Sequence, residues 1–182
     1  TIVDEAQNLG IEMFVLDDGW FGHRSNDDSS LGDWQVFAKK FPHGLKHFAD
    51  YVHGKGLKFG LWFEPEMISY DSDLYRNHPD YLMQVPGREP SPARDQYILD
   101  LSRQEVVDNI FEQVKAILTA NDVDYVKWDM NRHLSDIYSV GLPPERQGEV
   151  YHRYMLGVYQ LMDRLTSAFP DVLFEGCSGG GG

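Results

Sequence analysis

Apolar positions along this chain fall into two alternating kinds of run. Helical spacing covers residues 2–9 and stops at Gly10, a residue suited to the position just past a helix end. A compact apolar run at 11–16 comes next and reads as a strand, running into the polar turn Asp17-Asp18-Gly19-Trp20. Residues 21–42 form a long loop rich in Asp, Ser and Gly, of the length that compact domains reserve for function. Its Asp27-Asp28-Ser29-Ser30 cluster suits a solvated tip. Helical spacing returns at 45–53, closed by Gly54 and Gly56, and the next strand, 57–63, ends in Glu64-Pro65-Glu66-Met67. A helical turn at 74–78 is stopped by Pro79, a short extra strand is expected at 81–85, and 86–92 is loop. A third principal strand is expected at 96–101. Ser102 with Glu105 three residues later predicts a capping box for a helix running to about Ala120. A fourth strand spans 123–128, a loop 134–147, a long helix 148–168 and a fifth strand 172–174.

Strands that alternate with helices predict parallel βα units. The polar residues fall repeatedly after the strands: Asp17 and Asp18, Glu64 and Glu66, Asp100, Asp129 and Asn131, Glu175 and Cys177. A barrel collects its site residues there. A doubly wound open sheet does so too, but it usually carries a Gly-rich phosphate turn, and neither GxGxxG nor GxxxxGK[ST] occurs. The expected fold class is therefore α/β, a partial (β/α)8 TIM barrel with about five parallel strands. Five strands do not close an eight-stranded barrel. The chain also begins without Met and ends in four glycines. Residues 1–182 are accordingly expected to be part of one catalytic barrel domain, truncated at both ends.

Composition narrows the partners. With 29 acidic against 16 basic residues, the net charge of -13 argues against nucleic acid and anionic membrane surfaces, which need clustered Lys and Arg. No apolar run approaches transmembrane length, and the first ten residues lack a signal-peptide layout. The single cysteine, Cys177, allows no internal disulfide and implies no oxidising compartment, so a cytoplasmic location is expected.

Carboxylates at strand ends among aromatic residues, without a metal signature, suit sugar chemistry: polar groups hold hydroxyls and indoles stack on sugar rings. In residues 125–132 Lys127 and Asp129 share one strand face while Trp128 points to the other. A cation on that face keeps Asp129 ionised, which suits a carboxylate nucleophile or an anion site. A salt bridge that merely closes a strand end explains the same residues. Glu64 and Glu66 are rival carboxylates for glycoside hydrolysis, or an entry-loop salt bridge or cap. Asp17 and Asp18 repel one another and need donors or a cation; sugar hydroxyls supply the former, and no third carboxylate occurs at EF-hand spacing. His43 and His47 stand at i, i+4 without an HExxH pattern, as on a solvated helix face. Cys177 lacks the signature of a partnered nucleophile, whereas the glycines after it suit close backbone approach to a ligand.

Five stretches carry a resemblance: Phe14-Val15-Leu16-Asp17-Asp18-Gly19-Trp20, Phe59-Gly60-Leu61-Trp62-Phe63-Glu64-Pro65-Glu66-Met67, Tyr97-Ile98-Leu99-Asp100-Leu101-Ser102, Lys127-Trp128-Asp129-Met130-Asn131-Arg132, and Phe174-Glu175-Gly176-Cys177-Ser178 with the four glycines. Together they resemble the glycoside hydrolase family 36 α-galactosidases over essentially the whole chain. The resemblance implies a (β/α)8 barrel of which strands two to six are present, and a retaining enzyme that removes terminal α-galactosyl residues from raffinose- or melibiose-type oligosaccharides. It implies Asp129 as nucleophile, and galactose contacts from Asp17, Asp18, Trp62, Arg94, Lys127, Asn131, Cys177, Gly179 and Gly180. It further implies no metal, no cofactor and a homo-oligomeric whole enzyme. The family's second carboxyl group, the acid/base Asp, comes after the glycines, beyond residue 182. An α-N-acetylgalactosaminidase or a galactosyltransferase of the same family, or a non-catalytic sugar-binding module, would carry much of the same pattern.

Overall fold

The computed structural model describes residues 1–178. Helix α1 (Ile2–Asn8) leads into strand β1 (Met13–Leu16), and helix α2 (Leu45–Gly54) into β2 (Lys58–Phe63). After β2 come two residues of β3 (Met67–Ile68), the short helix α3 (Asp73–Asn77) and two residues of β4 (Tyr97–Ile98). Helix α4 (Gln104–Asn121), β5 (Tyr125–Asp129), α5 (Val150–Ala168) and β6 (Leu173–Cys177) follow within the described residues. The principal sheet has the order β1-β2-β5-β6, and each neighbouring pair is parallel. All four strands therefore end on the same side, and the residues just past each strand are brought to one rim. The mixed α/β class and the parallel βα rhythm are as the sequence predicts.

The third principal strand is a correction. Residues 96–101 do not enter the parallel sheet. Only Tyr97–Ile98 is strand, and it pairs antiparallel with Met67–Ile68. Its backbone bonds go to the excursion after β2: Leu99 N to the Glu66 carbonyl and Asp100 N to the Tyr81 carbonyl. The place beside β2 is taken by β5, so the described residues contribute four parallel strands rather than five. A short apolar run shows burial, not which sheet accepts it, which is why the sequence misplaces it. Residues 81–85 likewise form an isolated bridge, Leu82 to Leu99, rather than a strand. The predicted capping box is also absent. Arg103 precedes α4 with no side-chain cap, and the Ser102 hydroxyl donates to Asp100 instead.

The core fills the space between sheet and helices. Phe59, Leu61 and Phe63 on β2, Val126 and Trp128 on β5, and the apolar faces of α4 and α5 are buried together. Close approach is built with glycine. Gly60 leaves room for the Tyr125 ring in the adjoining strand, where a Cβ would lie 2.6 Å from Tyr125 Cδ1. Gly157 lets α5 lie directly on the segment after β4, where a Cβ would stand 1.8 Å from the Leu101 carbonyl oxygen. Because that neighbour is backbone, Gly157→Ala must displace a whole segment, a form of overpacking that costs about 1–3 kcal/mol. In the full-length protein this substitution lowers the melting temperature in thermal denaturation; an unchanged midpoint would show that α5 does not pack this closely.

Candidate active site

The rim at the strand ends is centred on Asp129, the last residue of β5. It is only 6% exposed, so its charge must be offset by fixed donors. Oδ1 accepts from the Met130 backbone N–H at 3.0 Å. Oδ2 accepts from Trp62 Nε1 at 3.0 Å and from Asn131 Nδ2 at 2.8 Å. Burial pushes the carboxyl upward. Hydrogen bonds from Trp62, Asn131 and the Cys177 thiol, with the nearby Lys127 charge, outweigh it and hold Asp129 below the ordinary carboxylate range. The result is a buried carboxylate that stays ionised.

The Trp62 indole is itself fixed. Its ring stacks on Phe21 at 6.1 Å between centroids, and Trp34 lies at 6.3 Å. Its backbone carbonyl accepts from Trp20 Nε1 at 2.8 Å. Phe21 and Trp34 belong to the long loop after β1, which bridges itself at Phe21 and Val36. That loop thus serves the site by clamping the indole that serves Asp129.

Lys127 and Asp129 both lie on β5, two residues apart, as the alternation of the strand predicts. The direct partner of Lys127 is different from the expected one. Its Nζ pairs with Asp17 Oδ2 at 3.0 Å, and Asp129 feels it only through space. That hydrogen bond, against opposing burial, holds the ammonium above the usual lysine range. Asp18 finds its own cation. Arg24 Nε reaches Asp18 Oδ1 at 2.9 Å and its terminal nitrogen reaches Oδ2 at 2.8 Å, a two-pronged pair. Arg24 is buried, and another of its nitrogens donates to the Ser29 carbonyl at 2.8 Å. The adjacent aspartates therefore separate, one facing Lys127 and one facing Arg24. Sequence reasoning missed Arg24. Its one signal was a lone Arg in an acid-rich loop just after Asp17-Asp18.

Glu64 and Glu66, the rival carboxylates, turn inward. Glu64 is 1% exposed and accepts from Gln96 Nε2 and from the Asn131 backbone N–H, both at 2.7 Å. Glu66 accepts from Trp128 Nε1 at 2.9 Å and from the Tyr154 hydroxyl at 2.6 Å. Burial pushes both carboxyls upward. Their hydrogen bonds tie strands and loops together, and Glu66 also lines a cavity with Trp128 and Cys177.

Cys177 lies directly opposite Asp129 in the β5–β6 register. Arg94 lies apart from the hydrogen bonds around Asp129. It occupies, with Asp95, an exposed turn of positive φ closed by Ala93 and Gln96, and among the described residues it has no ion-pair partner. Gly179 and Gly180 lie outside the described residues. His43 and His47 are exposed, with their rings 5.4 Å apart. Among the described residues no group of three or more His, Cys, Asp or Glu is placed to hold a metal ion, and no helix is long and apolar enough to cross a membrane.

The described residues form part of a parallel βα architecture, four adjoining strands with the polar groups at their C-terminal ends, as in a section of a βα barrel. Comparison with known proteins carries this further. The sequence profile described as Melibiase matches residues 1–182, and the chain belongs to this family. It is 74% identical to "Alpha-galactosidase 1" of Pediococcus pentosaceus and 69% identical to "Alpha-galactosidase Mel36A" of Lactobacillus acidophilus, in both cases over 100% of this chain and 25% of the relative. The crystal structure of a doubly substituted variant of the glycoside hydrolase family 36 α-galactosidase AgaA from Geobacillus stearothermophilus, in complex with raffinose, superposes with a TM-score of 0.97 at 55% identity. It too covers 100% of this chain and 25% of the other. A different doubly substituted variant of AgaA, in complex with stachyose, gives a TM-score of 0.95. The chain spans about a quarter of the length of the relatives it matches.

The Trp62 donor is separable from its ring. Trp62→Phe keeps an aromatic body against Phe21 and removes the N–H from Asp129 Oδ2. With one donor fewer, the ionised carboxylate is less favoured and Asp129 titrates at higher pH than in the parent protein. Infrared difference spectra of the carboxylate band across a pH series read this directly; an unmoved or lowered midpoint would contradict it.

Proposed function

We propose that this chain supplies the nucleophilic and galactose-binding side of a retaining α-galactosidase, which hydrolyses terminal α-galactosyl residues of raffinose- and melibiose-type oligosaccharides. The carrying observation is the Asp129 carboxylate, buried at the end of β5 yet held ionised by donors on three sides. A carboxylate nucleophile must be charged and aimed before substrate arrives, and both conditions are met without reorganisation. The relatives named as α-galactosidases, and the raffinose and stachyose complexes of one of them, support the substrate class.

In this mechanism one Asp129 oxygen attacks the anomeric carbon while the bond to the leaving oxygen breaks. A galactosyl ester of Asp129 forms. A second carboxyl group gives its proton to the leaving oxygen, then takes one from the water that cleaves the ester, so configuration is retained. By the family resemblance that group comes from sequence after Gly182. Asp17 and Asp18 bind galactose hydroxyls, the axial 4-hydroxyl among them, with Lys127 beside Asp17 and Arg24 fixing Asp18. Polar groups set for a particular hydroxyl reject sugars that place it elsewhere. Trp62 donates to Asp129, Cys177 stands opposite it across β5 and β6, and Asn131 orients it.

Two substitutions in the full-length enzyme test the assignment. Asp129→Asn leaves the melting temperature near the parent value and reduces hydrolysis of p-nitrophenyl α-galactoside to the assay background. Near-normal turnover would remove Asp129 from the nucleophile role, and a parent enzyme that cleaves only the p-nitrophenyl N-acetylgalactosaminide would shift the substrate class. Arg24→Ala frees Asp18 from its two-pronged partner. A hydrogen bond to a charged group contributes about 1.5–3 kcal/mol, so kcat/KM falls by roughly 10- to 100-fold. Steady-state kinetics on melibiose and on the matching glucoside should show the loss mainly for galactose; equal losses for both sugars would mean that Arg24 merely supports the loop.

A further inference from the structure

Glu64 comes directly after β2 and is too deeply buried to reach a sugar. Its position in the hydrogen-bond network is nevertheless specific. Oε1 accepts the backbone N–H of Asn131 at 2.7 Å, and Asn131 extends its side-chain Nδ2 to Asp129 Oδ2 at 2.8 Å. The second donor to that same oxygen is Trp62 Nε1 at 3.0 Å, and Trp62 stands two residues before Glu64. Both donors to Asp129 Oδ2 are thus referred to one short piece of chain at the end of β2. The other hydrogen bond to Glu64 Oε1 extends the frame. Gln96 donates to it at 2.7 Å, and the Gln96 carbonyl accepts from buried Arg132 at 2.6 Å. The loop after β5 is therefore pinned at Asn131 and again at Arg132, although neither residue lies in a strand or helix.

A buried carboxylate is an expensive way to fill space; an apolar side chain of similar volume often serves stability as well or better. Glu64 supplies what an apolar residue cannot, an acceptor for the N–H two residues beyond the candidate nucleophile. We propose that Glu64 is a positioning residue for Asp129: it anchors Asn131, and together with Trp62 it makes the end of β2 the template that aims the Asp129 carboxylate. This rests on the reading of Asp129 as nucleophile.

The test uses the full-length enzyme and p-nitrophenyl α-galactoside, with kcat expressed per folded molecule. Glu64→Asp keeps the carboxyl group but withdraws the acceptor by one methylene. Misplacement of a reacting group by about 1 Å costs on the order of 10²-fold in rate, so kcat falls by about that factor while KM changes little. Glu64→Gln, which retains an oxygen at the same reach, loses far less. Asn131→Ala lowers kcat as well, and the Glu64→Asp/Asn131→Ala double variant falls no further than the worse single one, because both act along one path. A wild-type kcat for folded Glu64→Asp, or losses that multiply in the double variant, would overturn the positioning role. If Glu64→Asp does not fold, Glu64→Met, which keeps the volume and removes the acceptor, decides the matter with and without Asn131→Ala by the same non-additivity. Asp129→Asn is run in parallel. Full turnover there would topple the nucleophile reading itself, whereas an inactive Asp129→Asn beside an unimpaired Glu64→Asp would topple only the role of Glu64.

Discussion

A carboxylate withdrawn from water must be given donors, and much of this structure derives from that requirement. Asp129, Glu64, Glu66 and Asp100 are all buried near the strand ends. Each is met by groups that cannot be anywhere else: an indole and an amide for Asp129, an amide and a backbone N–H for Glu64, an indole and a phenol for Glu66, two hydroxyls for Asp100. An ion left unpartnered at such depth costs several kcal/mol. The carboxylates therefore dictate where Trp62, Trp128, Asn131, Gln96, Tyr154 and Ser139 must lie. They differ in outcome. Glu64, Glu66 and Asp100 are pushed toward the neutral form by burial, whereas Asp129 alone among these four is held below the ordinary range.

The aromatic residues of the first long loop complete that arrangement. Trp20, Phe21, Trp34 and Phe63 pack edge-on or tilted around one another next to Trp62. Such pairs add about 0.5–1.5 kcal/mol each beyond the area they bury. Their effect here is geometric: a ring enclosed by rings does not rotate its N–H away from Asp129. Arg24, carried by the same loop, does for Asp18 what Trp62 does for Asp129. A stretch without regular secondary structure thus fixes two polar groups of the rim.

Much of this was legible in the sequence. Apolar runs ending before Asp17, Glu64 and Asp129 marked three strand ends, and alternation along residues 125–129 placed Lys127 and Asp129 together on one face; the last strand, expected at 172–174, instead runs on through Glu175 to Cys177. Partner choice was less legible. Lys127 turns to Asp17, 110 residues earlier, because β1, β2 and β5 lie side by side, and no local spacing reveals that. Residues 96–101 look like any buried strand, since periodicity reports depth and not neighbours. Glu64 and Glu66 resembled site carboxylates for the same reason: both kinds of carboxylate stand after strands, and only the donors around them tell an anchor from a reactive group. Arg24 was hidden in a loop whose contacts are wholly tertiary.

The parallel register has a consequence for how such a site can change. Trp62 faces Lys127 across β2 and β5, and Asp129 faces Cys177 across β5 and β6. Their spacing is therefore set by the backbone ladder, a repeat of about 4.8 Å that substitutions at the rim do not alter. The loops that reach over the ladder hang from its ends and can lengthen, shorten or exchange residues without moving it. The spacing of the strand-end side chains is in this way set apart from the loops, but their orientation is not. Residues 21–42 clamp Trp62 and hold Asp18, so a change in that loop reaches the rim while the ladder beneath it stays in place.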